Sequence, residues 1–276
     1  MPSEIKAVRW VSSKNRALRA VCEDLHVISS HMEEVISNSN RADEIGQAKS
    51  ILSEISQAKF VKYIYLIMDV LAVVSATSKM FQVKDLMIFE IKCAIDTLFT
   101  KLHVLAHEPG KYLGEFYKKY DIDSKMFDGK IKLKGTIVDF KDDKDISVFL
   151  EKVSHYIVKR FSCCDQSLLS NFQVFDFRTW PNKLSDLSTF GNSDIKSLCQ
   201  FFSNILSETE VKEIPAEWQS LKVQISLQKH DNPLPVYIDV MKRVHDDNHK
   251  NIRALVFYYA YRIIINKMLV SEYSLQ

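Results

Sequence analysis

The sequence has 276 residues, enough for one large or two ordinary domains, and its 46% hydrophobic content suffices for a packed core without disulfide staples. Its 37 basic and 35 acidic side chains leave a formal charge of +2, which excludes the strong single-sign field of a dedicated DNA-wrapping protein and leaves local nucleic-acid contact open. Six glycines and six prolines, roughly 2% each against usual levels near 7% and 5%, supply few hairpins or phosphate-cradling loops, so an almost wholly α-helical chain is expected.

Five cysteines, Cys22, Cys93, Cys163, Cys164 and Cys199, are an odd number without a spaced framework, which suits a reducing compartment. The opening Met1 to Lys6 lacks an apolar signal-peptide core, so neither secretion nor organelle import is expected. The longest apolar tract, Phe60 to Ala76, barely reaches bilayer length and carries Lys62 and Asp69. It reads as a buried core helix, as does Ala254 to Val270 with Arg262 and Lys267 inside it; no membrane partner is expected.

In chain order, Ser12-Ser13 offer a helix cap ahead of Leu18, Val21, Leu25, Ile28, Met32 and Val35, whose spacings of three and four predict one amphipathic helix ending at Ser37 to Asn40. A second helix is predicted from about 42 to 81, one-sided at first and apolar nearly all round later, as expected at the centre of a bundle. A third, about 86 to 107, carries Ile91, Ile95, Leu98, Leu102 and Leu105 on one stripe and stops at Pro109-Gly110. Between 121 and 145 the periodicity fades: Ile131 to Lys134 alternate like a short edge strand, and Asp142 to Asp145 read as a solvated connection. Three regions follow, 1–120, the irregular 121–145, and the helical 146–276. The last holds a helix with Phe149, Val153, Tyr156 and Ile157 on its apolar face, a shorter one near 168–172, and a packed aromatic turn from Phe175 to Pro181. Helices near 195–206 and 215–227 come next, the second starting at Pro215, and a final helical stretch spans about 236–270.

Catalytic constellations are sparse. His103 and His107, and likewise His245 and His249, stand one helical turn apart, but two ligands do not complete a metal site, and Val104 occupies the place where a zinc-protease helix needs glutamate. They read as surface or half-buried histidines, and Cys163-Cys164 as packing residues. Neither a nucleophile elbow nor a phosphate loop is present, so no catalytic residue, metal or cofactor is assigned. Glu33-Glu34 and Asp142-Asp143 read as solvated carboxylates. The opening combines Arg9-Trp10 with Lys14, Arg16 and Arg19. An indole stacks on bases and cations hold phosphates, although such a tryptophan more often anchors its helix to the core.

From Val8 through Arg9-Trp10-Val11-Ser12-Ser13-Lys14-Asn15-Arg16 to Leu18, the chain resembles the Arg-Trp segment of hAT-superfamily transposases and their host-derived relatives, especially the zinc finger protein 862-like group. Ala58 to Lys62 with Leu66 to Leu71, Lys79 to Gln82, Tyr112-Leu113, Phe175-Asp176, Trp180-Pro181 and Leu187 to Gly191 with Ile195 to Phe202 are similar to further parts of that group, so that the resemblance spans roughly residues 7–230. It implies a multi-helix bundle like the helical insertion of such a transposase, with at most a few short strands from a ribonuclease-H-like remnant. It further implies a domesticated, transposon-derived, non-catalytic protein of the nucleus or cytoplasm, the nucleus favoured. The two metal-binding aspartates upstream in those enzymes, their zinc fingers and their C-terminal dimerisation motif have no counterpart here; the end reads Lys267 to Ser274 instead. Arg9, Trp10, Lys14 and Arg16 are therefore the expected nucleic-acid contacts, with DNA, a protein partner or a second copy of the chain as partner. The alternative is a helical adaptor that binds a protein and no nucleic acid.

Overall fold

The computed structural model describes residues 4–81, 88–161, 166–227 and 249–256. These residues are mainly helical, with one small three-stranded sheet, and divide into two compact units: 1–84 with 95–154, and 85–94 with 155–276.

In the first unit α1 (Glu4–Glu23) and α2 (Leu25–Asn38) meet at Asp24, whose φ of −100° and ψ of 10° bend the chain while the helical ladder persists from Asp24 to Ala20 and from Ile28 to Asp24. The predicted single helix is thus two. Its start also moves: Ser12 and Ser13 lie inside α1 and do not cap it. The long second helix is likewise divided, into α3 (Ala42–Ile55) and α4 (Ala58–Met80). Periodicity alone could not show this break, because a distant segment makes it. Lys134 donates its N–H to the Ser56 carbonyl at 2.7 Å and accepts from the Ala58 N–H at 2.9 Å, replacing ladder bonds at the interruption.

Helix α4 packs against α1, α3 and the short α6 (Lys111–Lys119). Among the described residues it is the helix long and apolar enough to cross a membrane by length and composition, and half of its apolar window is buried inside the protein. Its two buried charged residues, Lys62 and Asp69, explain themselves by what they hold. Asp69 accepts from the backbone N–H groups of Tyr112 at 3.0 Å and Leu113 at 2.8 Å, satisfying orphan donors in the first turn of α6. The Gly110 that precedes this turn has no room for a side chain, since a Cβ there would run into the Asp69 carboxylate. Lys62 donates to Asp143 Oδ2 at 2.7 Å and to the Val138 carbonyl at 3.0 Å. Asp143, expected in solvent, is instead the partner of a buried cation, because an ammonium inside a core needs a counter-charge.

Helix α5 (Ile88–His107) stops where Pro109-Gly110 predicts, and all five of its stripe residues are buried. α6 leads into strands β1 (Tyr120–Asp121), β2 (Met126–Phe127) and β3 (Ile131–Lys132), an antiparallel meander in which Tyr120 faces Phe127 and Phe127 faces Ile131. Residues 121–145 therefore lie within the first unit. Phe116 anchors this corner, its ring 5.5 Å from Tyr120, 5.8 Å from Phe127 and 5.8 Å from Tyr65 of α4.

The division between units falls inside α5 and inside α7 (Lys144–Phe161). On α7 the buried residues are Ile146 and Leu150; Phe149, Val153 and Ile157 are half-buried, and Tyr156, expected on the apolar face, is 53% exposed. In the second unit α9 (Leu184–Thr189) and α10 (Asn192–Phe201) pack on α11 (Glu208–Leu227), and α8 (Gln166–Asn171), which leads into two 3-10 turns over 172–175 and 177–179, packs on α10. The aromatic turn is packed as expected: Trp180 donates to the Val174 carbonyl at 2.7 Å and meets Trp218 at 5.4 Å. Helix α11 begins seven residues before Pro215, not at it, because Ser207 and Glu210 close a reciprocal cap. Glu210 accepts from the Ser207 N–H at 2.7 Å and from its hydroxyl at 2.8 Å. Lys222 on α11 is buried, and the Ser188 and Phe190 carbonyls and Asn192 Oδ1 take its three protons at 2.8, 3.1 and 3.0 Å. α12 (Lys250–Arg253) packs on α11 through Glu217, which accepts from the Ile252 N–H at 2.9 Å and, through its other oxygen, from the Asn251 side-chain amide at 2.8 Å. Residues 236–248 and 257–270 of the predicted final helix, His245 among them, and Cys163-Cys164 lie outside the described residues.

Candidate nucleic-acid interface

All four residues expected to touch nucleic acid fall on α1. The side chains of Arg9 and Trp10 lie outside the described residues; Lys14 and Arg16 are exposed. Leu18 and Val21 are half-buried and Cys22 is 8% exposed where α1 packs on α4, and Arg16, two residues before Leu18 and so about half a turn round the helix, lies on the other side. Burial pushes the Cys22 thiol up to about 11, despite its hydrogen bond with Tyr65, and leaves it an inert packing group.

A residue outside the expected four turns out to connect this helix to another. Arg19 donates from a terminal guanidinium nitrogen to the Tyr112 hydroxyl at 2.8 Å, and its Cζ lies 5.8 Å from the Tyr112 ring centroid. Lys111 places its Nζ 5.7 Å from the same ring. Two cations from two helices thus share one half-exposed phenol. Lys119, at the other end of α6, is close enough to Cys22 to influence its thiol. Among the described side chains, exposed Lys14, Arg16 and Arg19 on α1 and Lys111, Lys118 and Lys119 on α6 are the basic residues of these two helices, with Glu23 and Glu115 as the acids beside them.

Asp69 positions the α6 half of this arrangement. Its carboxylate sits under the first turn of α6, and burial raises its pKa even though two backbone N–H groups counteract the shift. The contribution of α6 carried no marker in the sequence beyond the cap-compatible Gly110 and the paired Tyr112-Leu113. The Arg19–Tyr112 pair is 93 residues apart and invisible to any local pattern.

Other candidate chemistry is placed as follows. His103 and His107 are exposed neighbours on α5, and His249 is buried with Nε2 2.7 Å from Gln224 Oε1. Cys93 is an exposed thiol and Cys199 a buried one whose pKa burial raises. Among the described residues no group of three or more His, Cys, Asp or Glu side chains is arranged to hold a metal ion. No family model matches the chain, and no solved structure matches it.

Proposed function

We propose that this is a non-catalytic, hAT-transposase-derived helical protein that holds nucleic acid through the exposed basic side chains of α1 and α6. The observation that carries the reading is the Arg19–Tyr112–Lys111 cluster. Two cations, Arg19 from the helix that also bears Lys14 and Arg16 and Lys111 from α6, flank the Tyr112 ring of α6, which is the combination that neutralises phosphates and offers a stacking face. The resemblance of the Arg9-Trp10 segment to transposase relatives supports the same helix as the contact. The near-zero net charge makes the contact local: a few phosphates, not a wrapped duplex.

Fluorescence anisotropy with labelled single-stranded and duplex DNA tests it. With about three phosphate contacts the logarithm of affinity should fall with that of salt at a slope near −2 to −3, and Arg16→Ala or Lys111→Ala should each flatten it by about one. Trp10→Ala should weaken binding further. Salt-insensitive binding, or variants indistinguishable from the parent, refute the interface. A plasmid-nicking assay with magnesium or manganese tests the non-catalytic part, since nicking that a carboxylate substitution abolishes would overturn it.

A second reading, a helical adaptor with a protein partner, is favoured by Phe201 and Ile205. These apolar side chains stand four residues apart in the second unit and are 43% and 46% exposed. Salt-insensitive capture of a protein partner that Phe201→Ser abolishes would support it over the first.

A further inference from the structure

Helix α5 buries Leu98, Leu102 and Leu105 and leaves His103 and His107 on its solvent side, one turn apart. Spacing alone places two imidazoles on one face; it does not say that their nitrogens meet. Here they do. The two Nε2 atoms lie 3.3 Å apart, with ring centroids at 4.5 Å and planes at 57° to one another. A zinc ion at the usual distance of about 2.0 to 2.1 Å from both nitrogens would subtend an N–Zn–N angle of roughly 104 to 111°, which brackets the tetrahedral value. Square-planar coordination at similar bond lengths needs nitrogens closer together, at about 2.9 Å. Without metal the same geometry accommodates a single Nε2–H···Nε2 hydrogen bond, one ring donating and the other accepting, and a metal takes both Nε2 lone pairs once the donating ring carries its proton on Nδ1 instead.

The geometry points to His103 and His107 as a two-histidine site for a tetrahedral divalent cation of the zinc type, its remaining positions filled by water. Both ligands belong to one rigid helix whose other face is pinned in the core, so binding orders only side chains. The ion would staple the last turn of α5 immediately before Pro109-Gly110, the connection whose next residues Asp69 caps. Two other described histidines are arranged differently: His31 pairs with Glu34 at 3.9 Å, and His249 is buried against Gln224. The open coordination positions distinguish the site from a closed structural zinc centre, and its affinity is set by two imidazoles alone.

Isothermal titration of zinc chloride into the full chain carrying Cys93→Ser, which removes the exposed thiol among the described residues, tests the site. One zinc should bind per chain, and His103→Asn or His107→Asn should each weaken binding at least 10-fold. Saturating zinc should raise the melting temperature of the parent and not of either variant. Both side chains are exposed, so the zinc-free variants should melt like the parent, which separates lost binding from lost folding. Absence of zinc binding by the parent, unchanged affinity in the His103→Asn/His107→Asn pair, or loss of binding in His245→Asn instead would overturn the assignment.

Discussion

Replacing Lys62 by methionine, which keeps the length and removes the charge, isolates the ion pair that α4 makes with Asp143. The side chain of Lys62 is 3% exposed and that of Asp143 13%, and their charged atoms are 2.7 Å apart. At an effective dielectric near 20 the attraction is roughly 6 kcal/mol, offset by a desolvation cost of several kcal/mol for each ion. The pair is therefore close to neutral as a pair and costly to break. Lys62→Met should lose about 3 kcal/mol, because Asp143 keeps its burial without its cation and the Val138 carbonyl loses its donor. Adding Asp143→Asn, which still leaves an oxygen for the Asp145 N–H, should recover about 2 kcal/mol of that loss. Denaturant unfolding followed by far-ultraviolet circular dichroism measures the cycle, and amide hydrogen exchange over 136–143 and α4 locates it in the first unit. Additive single substitutions, or a Lys62→Met cost under about 0.5 kcal/mol, would refute the idea that this lysine depends on its counter-charge.

Gly110→Ala should destabilise by about 1 to 3 kcal/mol in thermal melts, since its Cβ collides with the Asp69 carboxylate. Gly114→Ala, in the middle of α6 with nothing within 4 Å of the new Cβ, should stabilise by about 0.5 to 1 kcal/mol; equal effects at the two glycines would contradict the packing described. Gly191 has φ +70°, and a Cβ there would lie 2.8 Å from Trp218 Cζ2, so Gly191→Ala should cost about 2 kcal/mol and shift tryptophan fluorescence on unfolding to lower denaturant. The Ser207 cap holds the Glu210 carboxyl below its ordinary range. A depressed folded pKa means that the ionised form stabilises the fold above the unfolded value, and that this is lost as pH falls through the folded value. The parent should accordingly exceed Glu210→Gln by about 1 kcal/mol at neutral pH, and the gap should close in acid; a gap independent of pH would remove the ionised cap from the account.

Helix content was legible because one-sided apolar stripes need no partner to be recognised: Ile91, Ile95, Leu98, Leu102 and Leu105 are all buried where their spacing places them. The stop at Pro109-Gly110 and the packed aromatic turn were readable for similarly local reasons. What failed was the breaks and the starts. The interruption at Ser56-Gln57 depends on Lys134, and the start of α11 on a Ser207–Glu210 cap that the permitted first-turn position of Pro215 masked. Of the candidate interface, Lys14 and Arg16 were readable as exposed cations on an amphipathic helix, whereas Arg19 acquired its meaning only from Tyr112.

Taken by itself, the sequence determined that this protein is built from helices, because spacing, scarce glycine and scarce proline act through the chain's own local geometry. Tertiary structure decided what its interior charges are for. Lys62, Asp69 and Asp143 look like faults or solvated residues in a linear reading. Each is made tolerable by a partner 43 to 81 positions away, since a buried charge takes its energy from whatever the fold brings within hydrogen-bond reach.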